Sequence, residues 1–477
     1  MKVVIYIAYE QIGFFIGLGK LLLERHEVLF LAEDRDVDSL IKKHIPDAVT
    51  RIIEKGLSEL SPDIISDARK LEEKYQIRIS ALIAEDRALG RGYLFNVDRY
   101  PGRKKSWWAN ERKISTVISH FQQVEEMLES YRADCLICWR NNPVLFQVAK
   151  YRDIPSFSLA PVKLGERFIW SDNPYLTSKE LRNRIQDHLK ETISELPEVK
   201  DYQQEALSKA RIDRIKYSFR EMCHDLAKQI ATEFYKAMRG TRKPDSYFFL
   251  GWVPSIARKP LTHRYLTKYG VTPEDLRDAR VCFIPLHLEP EITLLSVSPE
   301  FNNSMEMIAW ISKNAPADMI IVLKENPVSF GVRSKWYYNQ LRQIGNVVWA
   351  KPEINSWEWL KVARVAATIT GTAGTEAVMF KRPVLSFGKH QAINLLPTVR
   401  FANNFESVRS GLDDLLAIAS DDSTFELSRR AFFQAQIDCS FELKGFSNTF
   451  KTTDPQNELA LIGQAALPPC FEFHHSG

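Results

Sequence analysis

The first features to consider are the ones that the sequence lacks. It has no uninterrupted apolar run of the roughly 18 residues that a membrane-spanning helix needs, so none is expected. The amino terminus begins with a strand-like apolar run, but it has no small-residue cleavage site and soon becomes polar, which argues against a secretory signal. Internal repeats of fixed short period and low-complexity tracts are also missing. We therefore expect a globular protein of the cytoplasm.

Charge of one sign is not in excess either. The formal net charge is +4, from 64 basic and 60 acidic residues, which gives no support to a nucleic acid partner. With 45% hydrophobic and 26% charged residues, the composition is that of a foldable globular chain. A chain of 477 residues is too long for one ordinary core, so two or three domains are expected.

Cysteine is scarce, and its placement argues against a disulfide framework. The six cysteines lie at positions 135, 138, 223, 282, 439 and 470, several of them within apolar runs. Cys135 and Cys138 have the spacing of a zinc pair, but no second pair is nearby, and we interpret them as buried thiols of a strand. A reducing compartment fits this pattern. The sequence thus predicts no metal and no organic cofactor.

Residues 1–177 alternate between strand and helix patterns. An apolar, β-branched run at residues 3–7 is followed by glycines, a helical stretch and the strand-like VLFLA. The helical stretch ISTVISHFQQVEEMLESY then precedes two more strand-like runs, DCLICW and IPSFSLA. Such alternation is typical of a parallel sheet with right-handed crossovers. We predict a Rossmann-like α/β domain here.

The rest of the chain divides into four segments. Residues 178–250 carry long, charged helical patterns without a strand candidate, which indicates a helical insertion. Residues 251–279 mix proline, glycine and aromatic residues without a period, as a linker does. Residues 280–440 contain five strand-like runs and four intervening helices, which predicts a second doubly wound domain. Residues 441–477 include a helical pattern that we expect to cross back to the first domain.

Polar residues are concentrated in the loops that follow the strands of the second domain. Ligands of open parallel sheets bind outside the carboxyl ends of the strands, so we expect function in these loops. The candidates are His287, Glu289 and Glu291 in PLHLEPE, and Lys324 and Asn326 in KENP. His287 alone is compatible with a structural role, and a metal site in PLHLEPE is conceivable but lacks a further histidine. Lys324 emerges from a buried strand and is expected to face an anion, either a neighbouring carboxylate or a ligand phosphate.

The stretch ITGTAGTEAVMF joins another strand to a helix. Gly371 and Gly374 allow a tight turn, and the helix start presents unpaired N–H groups that suit a phosphate. Thr372 and Thr375 belong to the same turn, and we expect Glu376 to lie in the first helical turn. No regular capping box explains Glu376, whereas a carboxylate there can accept hydrogen bonds from a ribose diol. The alternative is a tight strand-to-helix turn without a ligand.

Three motifs in this order carry a family resemblance: FIPLHLEPE, VLKENP and TITGTAGTEAVMFKRPVLSFG. Together they resemble the capsule polysaccharide biosynthesis family of bacterial glycosyltransferases, which includes Kdo transferases. The resemblance covers residues 280–400 well and the amino-terminal half only by architecture. It implies a GT-B enzyme, with two Rossmann-like domains facing across a cleft, a nucleotide-sugar donor in the second and a glycan or lipid-linked glycan acceptor in the first.

The resemblance also implies roles for the candidate residues. The donor site would comprise His287, Glu289, Glu291, Lys324, Asn326, Gly371, Thr372, Gly374, Thr375 and Glu376. Family motifs typically read PLHxQPE and KEHP, whereas this chain has Glu289 where glutamine is usual and Asn326 where histidine is usual. The donor is therefore open between CMP-Kdo and another nucleotide sugar.

Acceptor and catalytic residues are expected in the first domain. Trp139, Arg140 and Asn141 follow a strand and are the acceptor candidates. Glycosyl transfer needs a carboxylate near the anomeric carbon or the attacking hydroxyl. We assign that role to Glu10, Glu166 or Asp172 as alternatives. Each of the three is equally compatible with a surface or helix-capping acid.

A basic loop with paired tryptophans, at residues 99–113, suits a membrane interface or the stacking of a sugar. A solvated loop is the alternative. Peripheral contact with the inner membrane is thus an open possibility. Two other functions also remain: a nucleotide-sugar epimerase of GT-B-like shape, and a non-catalytic partner in capsule assembly.

Overall fold

The computed structural model describes residues 1–8, 12–53, 61–86, 89–90, 110–139, 142–199, 218–238, 253–289, 291–419, 422–443 and 467–474. Contacts divide the chain into two compact units. The first comprises Met1–Ile83, Trp108–Lys190 and Phe433–Gly477, and the second comprises Ala84–Trp107 and Glu191–Phe432. Within the described ranges, no helix is long and apolar enough to cross a membrane.

Seven strands form the sheet of the first unit. They are β1 (Lys2–Ile7), β2 (Glu27–Ala32), β3 (Val49–Ile52), β4 (Cys135–Trp139), β5 (Ser156–Pro161), β6 (Arg167–Ser171) and β13 (Phe441–Glu442). Their order across the sheet is β13-β6-β5-β4-β1-β2-β3. Strands β1 to β5 pair in parallel, with Val3 opposite Val28 and Val4 opposite Leu136. Central strands of a parallel sheet are covered on both faces, which is why β1 and β4 are continuous apolar runs.

The helices that accompany this sheet are α1 (Ile12–Leu23), α2 (Arg35–His44), α3 (Ile64–Tyr75), α4 (Ile79–Glu85), α5 (Asn110–Tyr131), α6 (Pro143–Tyr151) and α7 (Lys179–His188). Helix α5 confirms the predicted helical stretch. Its buried apolar residues recur every three or four positions, so they share one face. They are Ile114, Val117, Ile118, Phe121, Val124 and Leu128.

The second unit contains a sheet of six strands that all pair in parallel. They are β7 (Arg280–Pro285), β8 (Met319–Lys324), β9 (Val347–Trp349), β10 (Val365–Thr368), β11 (Val384–Ser386) and β12 (Val399–Phe401). The order is β12-β11-β10-β7-β8-β9. Five of these strands were predicted. The sixth, β12, was not predicted, because its sequence VRF has a central arginine and does not form an apolar run like those of β9 and β11.

The helices that belong wholly or partly to the second unit are α8 (Phe219–Met238), α9 (Val253–Tyr269), α10 (Ile292–Val297), α11 (Ser304–Asn314), α12 (Lys335–Arg342), α13 (Ser356–Val362), α14 (Thr372–Met379), α15 (Phe405–Ala417) and α16 (Ser423–Cys439). Part of the segment predicted as an irregular linker is helix α9, which contains Pro260 in its interior. The prolines hid this helix because proline usually breaks one. Asn355 caps α13 by accepting from Trp357 N at 3.2 Å.

The predicted fold class is confirmed. Each unit has a mainly parallel sheet connected through helices, so the chain contains two Rossmann-like α/β domains, the composition of the GT-B fold. The sequence patterns did not indicate one further strand of the first sheet. Residues 167–171 form β6, which pairs antiparallel with β5. Gly165, at φ 57°, lies in the turn between the two strands.

The carboxyl-terminal segment of the chain contacts the first sheet. Strand β13 pairs antiparallel with β6, and Leu443 N donates to Glu166 O at 2.9 Å. Further on, Cys470 and Phe471 are buried in the core of the first unit. The sulfur atoms of Cys470 and Cys135 lie 2.7 Å apart, and both are free thiols. These contacts attach residues distant in sequence to β4 and β6.

Candidate functional site

The candidate site is the carboxyl edge of the sheet in the second unit. Parallel strands end at the same edge, so the loops after β9, β8, β7, β10 and β11 lie side by side in that order. Each of these five loops is joined to the next loop by a hydrogen bond that involves a side chain. We call this set of bonds the loop network and describe it from β9 to β11.

Lys324, the last residue of β8, makes the first link. Its Nζ donates to Pro352 O, in the loop after β9, at 3.2 Å. The residue is only 5% exposed. Burial disfavours the ammonium and lowers the pKa of Lys324 to about 8, although Glu353 acts in the opposite direction. Lys324 is therefore a buried cation whose charge is weakly held.

Arg333 makes the second link, between the loops after β8 and β7. Its Nε donates to Glu325 Oε2 at 3.1 Å, and its Nη2 donates to His287 O at 2.5 Å. Its Nη1 forms an ion pair with Glu289 Oε2. The guanidinium also lies over the ring of Tyr337, 4.7 Å from the ring centroid. Each of its three guanidinium nitrogens thus donates to a partner in the loop after β7 or the loop after β8.

Arg333 keeps its positive charge although it is buried. Burial opposes the charged form, but the carboxylates of Glu289 and Glu325 hold the pKa of Arg333 well above its usual value. Glu325 also accepts from Tyr338 Oη at 2.8 Å and from Asn326 N at 2.9 Å. Glu289 Oε1 is buried without a hydrogen-bond partner. Both carboxylate oxygens of Glu325 therefore have hydrogen-bond partners, whereas only one oxygen of Glu289 has one.

His287 makes the third link, between the loop after β7 and the turn after β10. Its Nε2 accepts from Ile369 N at 3.2 Å. A Cβ built on Gly371 would lie 2.9 Å from His287 Cε1 and 3.5 Å from Nδ1, so this edge of the ring faces Gly371. The fourth link is made by Gln391, after β11, whose Nε2 donates to Ile369 O. The network thus runs through all five loops.

The turn after β10 leads directly into α14. Gly371 is the N-cap, at φ −70° and ψ 157°, and no side chain caps the helix. Its own N–H donates to Thr368 Oγ1 at 3.0 Å. Gly374 N donates to Gly371 O at 3.2 Å, so the N–H groups of Thr372 and Ala373 are the ones that precede the first hydrogen bond of the helix. The positive end of α14 is therefore presented beside His287.

Two positions in α14 differ from expectation. Glu376 is the fifth residue of the helix and not part of its first turn, because the helix begins at Thr372. Gly374 lies inside the helix, where a Cβ would meet Ile393 Cδ1 at 2.7 Å and Thr368 Cγ2 at 3.0 Å. Close packing of α14 therefore accounts for a glycine at 374, and the close approach of His287 and Thr368 accounts for the glycine at 371.

The structure brings most of the predicted donor residues to one edge. His287, Lys324 and Gly371 take part in the loop network or adjoin it. Asn326 caps the short helix Pro327–Ser329 by accepting from Val328 N at 3.0 Å. Of the others, Glu291 is the N-cap residue of α10, Thr372 is exposed at the start of α14, and Thr375 is buried within it. Glu289 is the member turned into the protein, against Arg333.

The first-domain candidates have mixed placements. Glu10, Arg140, Asn141 and residues 99–109 of the basic aromatic loop lie outside the described residues. Trp139 ends β4 and is buried. Glu166 precedes β6. Asp172 follows it, and its Oδ1 accepts from Lys179 N, at the start of α7, at 3.2 Å.

Sequence reasoning missed Arg333 and Gln391. Arg333 stands in GVRSKW, a stretch without a strand or helix pattern, and arginine is usually exposed. Gln391 lies in a short loop between β11 and the helix Ala392–Leu395. Its partners Glu289 and Glu325 lie 44 and 8 residues away in sequence, and a local charge pattern does not indicate such pairs. Within the described residues, no group of three His, Cys, Asp or Glu side chains is placed to hold a metal ion.

Comparison with known families gives one match. The model of the capsule polysaccharide biosynthesis protein family matches residues 180–392, a little under half of the chain. This confirms the resemblance that the three motifs indicated. The matched segment begins in α7 and extends through β11, so it includes all five loops of the network.

Solved structures of similar architecture were also found, at low sequence identity. Staphylococcus aureus MnaA, in a co-structure with UDP, is 12% identical, with 90% of each chain covered and a TM-score of 0.26. A UDP-GlcNAc 2-epimerase from Neisseria meningitidis, bound to UDP-GlcNAc, is 13% identical, with 92% of this chain and 98% of that chain covered and a TM-score of 0.28. Thermosulfurimonas dismutans KpsC, a beta Kdo 2,7 transferase, is 14% identical, with 64% and 88% covered and a TM-score of 0.29. These TM-scores are too low to support a functional conclusion. The curated proteins give no significant match.

Proposed function

We propose that this protein is a glycosyltransferase that binds a nucleotide-sugar donor at the carboxyl edge of its second sheet. The supporting observation is the coincidence of two findings in one segment. The capsule polysaccharide biosynthesis family matches residues 180–392, and within that segment a histidine, a buried lysine and an uncapped helix start occupy neighbouring loops. That combination suits an anionic ligand.

In this proposal the phosphates of the donor bind at the start of α14. The N–H groups at the start of a helix and the helix dipole both favour negative charge. Gly371 has no side chain, so the His287 ring lies close to the backbone at the start of α14. Glu376, one turn further along the helix, is the proposed acceptor for the ribose hydroxyls.

Lys324 supplies positive charge to the same site. An ammonium has three N–H groups, and the described residues offer Pro352 O as the acceptor for one of them. A phosphate nearby would favour the charged form and raise the pKa of Lys324 from its value of about 8. Donor binding would thereby stabilise a charge that the folded protein alone holds weakly.

The identity of the sugar and the acceptor is proposed only by class. The donor is CMP-Kdo or another nucleotide sugar, and the acceptor is a glycan or a lipid-linked glycan held by the first unit. Trp139, Arg140 and Asn141 are the proposed acceptor residues. One of Glu10, Glu166 and Asp172 is the proposed catalytic carboxylate. Peripheral contact with an inner membrane through the basic aromatic loop belongs to the same proposal.

Product analysis tests the proposal. The protein is incubated with CMP-Kdo, and separately with UDP- and GDP-sugars, each with and without capsule oligosaccharide acceptors. A transferase is expected to release nucleotide and extend the acceptor only when both substrates are present. Conversion of a nucleotide sugar into its epimer without acceptor would contradict it, as would the absence of any reaction in protein that binds nucleotide. The variant Lys324→Met is tested in the same assays. Its control is Lys361→Met, which removes an exposed lysine of α13.

A further inference from the structure

Two thiols face each other in the core of the first unit. Cys135 is the first residue of β4 and is fully buried. Cys470 lies in the short helix Pro469–His474 and is 9% exposed. Their sulfur atoms are 2.7 Å apart, and both residues are free thiols. The fold thus brings together two thiols that are 335 positions apart in the sequence.

The placement of this pair suits a bond between the two sulfur atoms. An S–S bond is about 2.05 Å long, so the sulfur atoms need to approach each other by only roughly 0.7 Å. A hydrogen bond between thiols is weak, so little is lost when a covalent bond replaces it. Residues 135 and 138 of a strand point to opposite faces of the sheet, and Cys138 donates to Phe157 O at 3.7 Å. Cys470 therefore faces Cys135 and not its neighbour in β4.

The two thiols are held in place by different means. Cys135 belongs to a central strand, because β4 pairs with both β1 and β5. The segment that carries Cys470 contacts the same core through apolar side chains. Leu467 packs against that core, and the ring centroids of Phe471 and His26 are 5.2 Å apart. A covalent bond would make this attachment permanent for as long as the bond lasts.

We propose that hydrogen peroxide oxidises Cys135 and Cys470 to a disulfide, which fastens the carboxyl-terminal segment to β4. In a reducing compartment such a bond forms only on exposure to an oxidant, and cellular thiols reverse it. The pair is therefore a redox-responsive modification site and not a constant bridge. It rests on no part of the proposed function, because the donor site lies in the second unit.

The reaction begins at Cys470, which is the more exposed of the two thiols. The hydrogen bond with Cys470 and burial both hold the pKa of Cys135 far above its ordinary value, which makes Cys135 a poor first nucleophile. The Cys470 sulfur attacks one peroxide oxygen, the O–O bond breaks, and water leaves with the thiol proton. The Cys135 sulfur then attacks the resulting sulfenic sulfur, and the hydroxyl leaves as water with the Cys135 proton. Peroxide accepts the two electrons that the two thiols lose.

Peptide mass spectrometry of the wild type tests the site. The reduced full-length protein is exposed to hydrogen peroxide under native conditions, blocked with N-ethylmaleimide and digested without reductant. The peptides that contain Cys135 and Cys470 should be recovered as one linked species, which dithiothreitol separates. Free thiols at both positions after this treatment would overturn the proposal. A link from Cys470 to a different cysteine would also overturn it.

Three variants identify the bond and the order of the steps. Cys138 lies in the same tryptic peptide as Cys135, ADCLICWR, so Cys138→Ser is the matched control and should keep the link. Cys470→Ser should abolish it. In Cys135→Ser the sulfenic acid should remain on Cys470, where dimedone traps it. Loss of the link in folded Cys138→Ser, or no adduct on Cys470 in folded Cys135→Ser, would contradict the proposal.

The melting temperature tests whether the bond fastens the segment. The disulfide closes a very long loop of the chain and so restricts the unfolded state. The oxidised wild type should melt roughly 5 °C or more above the reduced protein. The same shift is expected in Cys138→Ser, and none is expected in Cys470→Ser. Oxidised wild type that carries the link but melts no higher than the reduced protein would refute the fastening of the segment.

Discussion

At the scale of single residues, two buried cations at the same edge of the sheet behave differently because their partners differ. Arg333 faces two carboxylates, so its charge is compensated and its pKa is raised. Lys324 bonds a carbonyl oxygen, and burial lowers its pKa to about 8. A cation that is costly to bury and incompletely compensated is typical of a ligand site. The sequence indicated Lys324, because a lysine directly after an apolar strand is unusual, but it could not indicate Arg333.

The stability of Lys324→Met should depend on pH in a defined direction. The folded pKa of Lys324 is about 8 and the ordinary value is 10.5, so between these values the unfolded chain binds more protons and wild-type stability rises with pH. At pH 7 the ammonium costs the folded state on the order of 3 kcal/mol. Lys324→Met should therefore be more stable than the wild type at pH 7, by an amount that falls by about 2 kcal/mol at pH 9.5.

Urea unfolding at the two pH values measures this difference. The control is Lys361→Met, which removes an exposed lysine and should show no such pH dependence. If the difference between wild type and Lys324→Met is the same at both pH values, Lys324 does not have the lowered pKa that the site requires.

Gly371→Ala should weaken ligand binding more than it weakens the fold. The backbone at Gly371 has φ −70°, which alanine adopts without strain, so the effect of the substitution is steric. Its Cβ would lie 2.9 Å from His287 Cε1 and 3.0 Å from Thr368 Oγ1, which forces the ring to move. We expect about 1 kcal/mol of lost stability, typical of mild overpacking, and roughly tenfold weaker pyrophosphate binding.

Gly345→Ala is the matched control, because a Cβ there meets nothing within 4 Å. It should leave pyrophosphate affinity unchanged. Wild-type affinity in a folded Gly371→Ala protein would remove the His287 ring and the start of α14 from the binding site.

At the scale of elements, the site depends on how the loops are joined and not on any one loop. The sequence predicted β7, β8 and β10 from their apolar runs, and the parallel arrangement then placed their loops at one edge. It did not predict β6, because Gly165 and Glu166 resemble an irregular loop, or α9, because of its prolines. Links such as Arg333 to His287 O depend on tertiary packing, so no local pattern indicates them.

Charge compensation in the Arg333 cluster should be visible in a comparison of variants. Arg333→Met leaves Glu289 and Glu325 buried without their cation and should cost about 3 to 5 kcal/mol of unfolding free energy. The triple variant Arg333→Met, Glu289→Gln, Glu325→Gln contains no buried charge and should be more stable than Arg333→Met alone. Urea unfolding measures both. A triple variant less stable than the single one would show that the loops are joined by something other than charge compensation.

At the scale of the whole molecule, the proposed donor site and the carboxyl-terminal segment belong to different units. The loop network lies in the second unit, whereas Cys470 and Phe471 pack into the core of the first, with Phe471 against the ring of His26. The sequence predicted two α/β domains from strand and helix alternation alone. It also predicted that residues 441–477 return to the first domain, but it could not indicate that residues 470–471 enter the core of that domain, because their apolar side chains show no period that identifies a partner.

Phe471→Ala should separate fold stability from donor binding. Truncating a buried phenylalanine removes apolar contacts in the first core, so we expect a loss of about 3 kcal/mol of unfolding free energy. Pyrophosphate affinity at a temperature where the protein is folded should be unchanged. Affinity that falls several-fold in the folded variant would mean that the donor site extends beyond the second unit.

The most direct test of a nucleotide-sugar site at this edge is titration calorimetry of the wild type and Lys324→Met with CMP, UDP and GDP. We expect one nucleotide to bind the wild type with a micromolar dissociation constant. The same nucleotide should bind Lys324→Met at least tenfold more weakly, about 1.4 kcal/mol, since a buried cation that contacts phosphate is lost. Equal affinity of the two folded proteins, or no binding of any of the three nucleotides to the wild type, would contradict a donor site here.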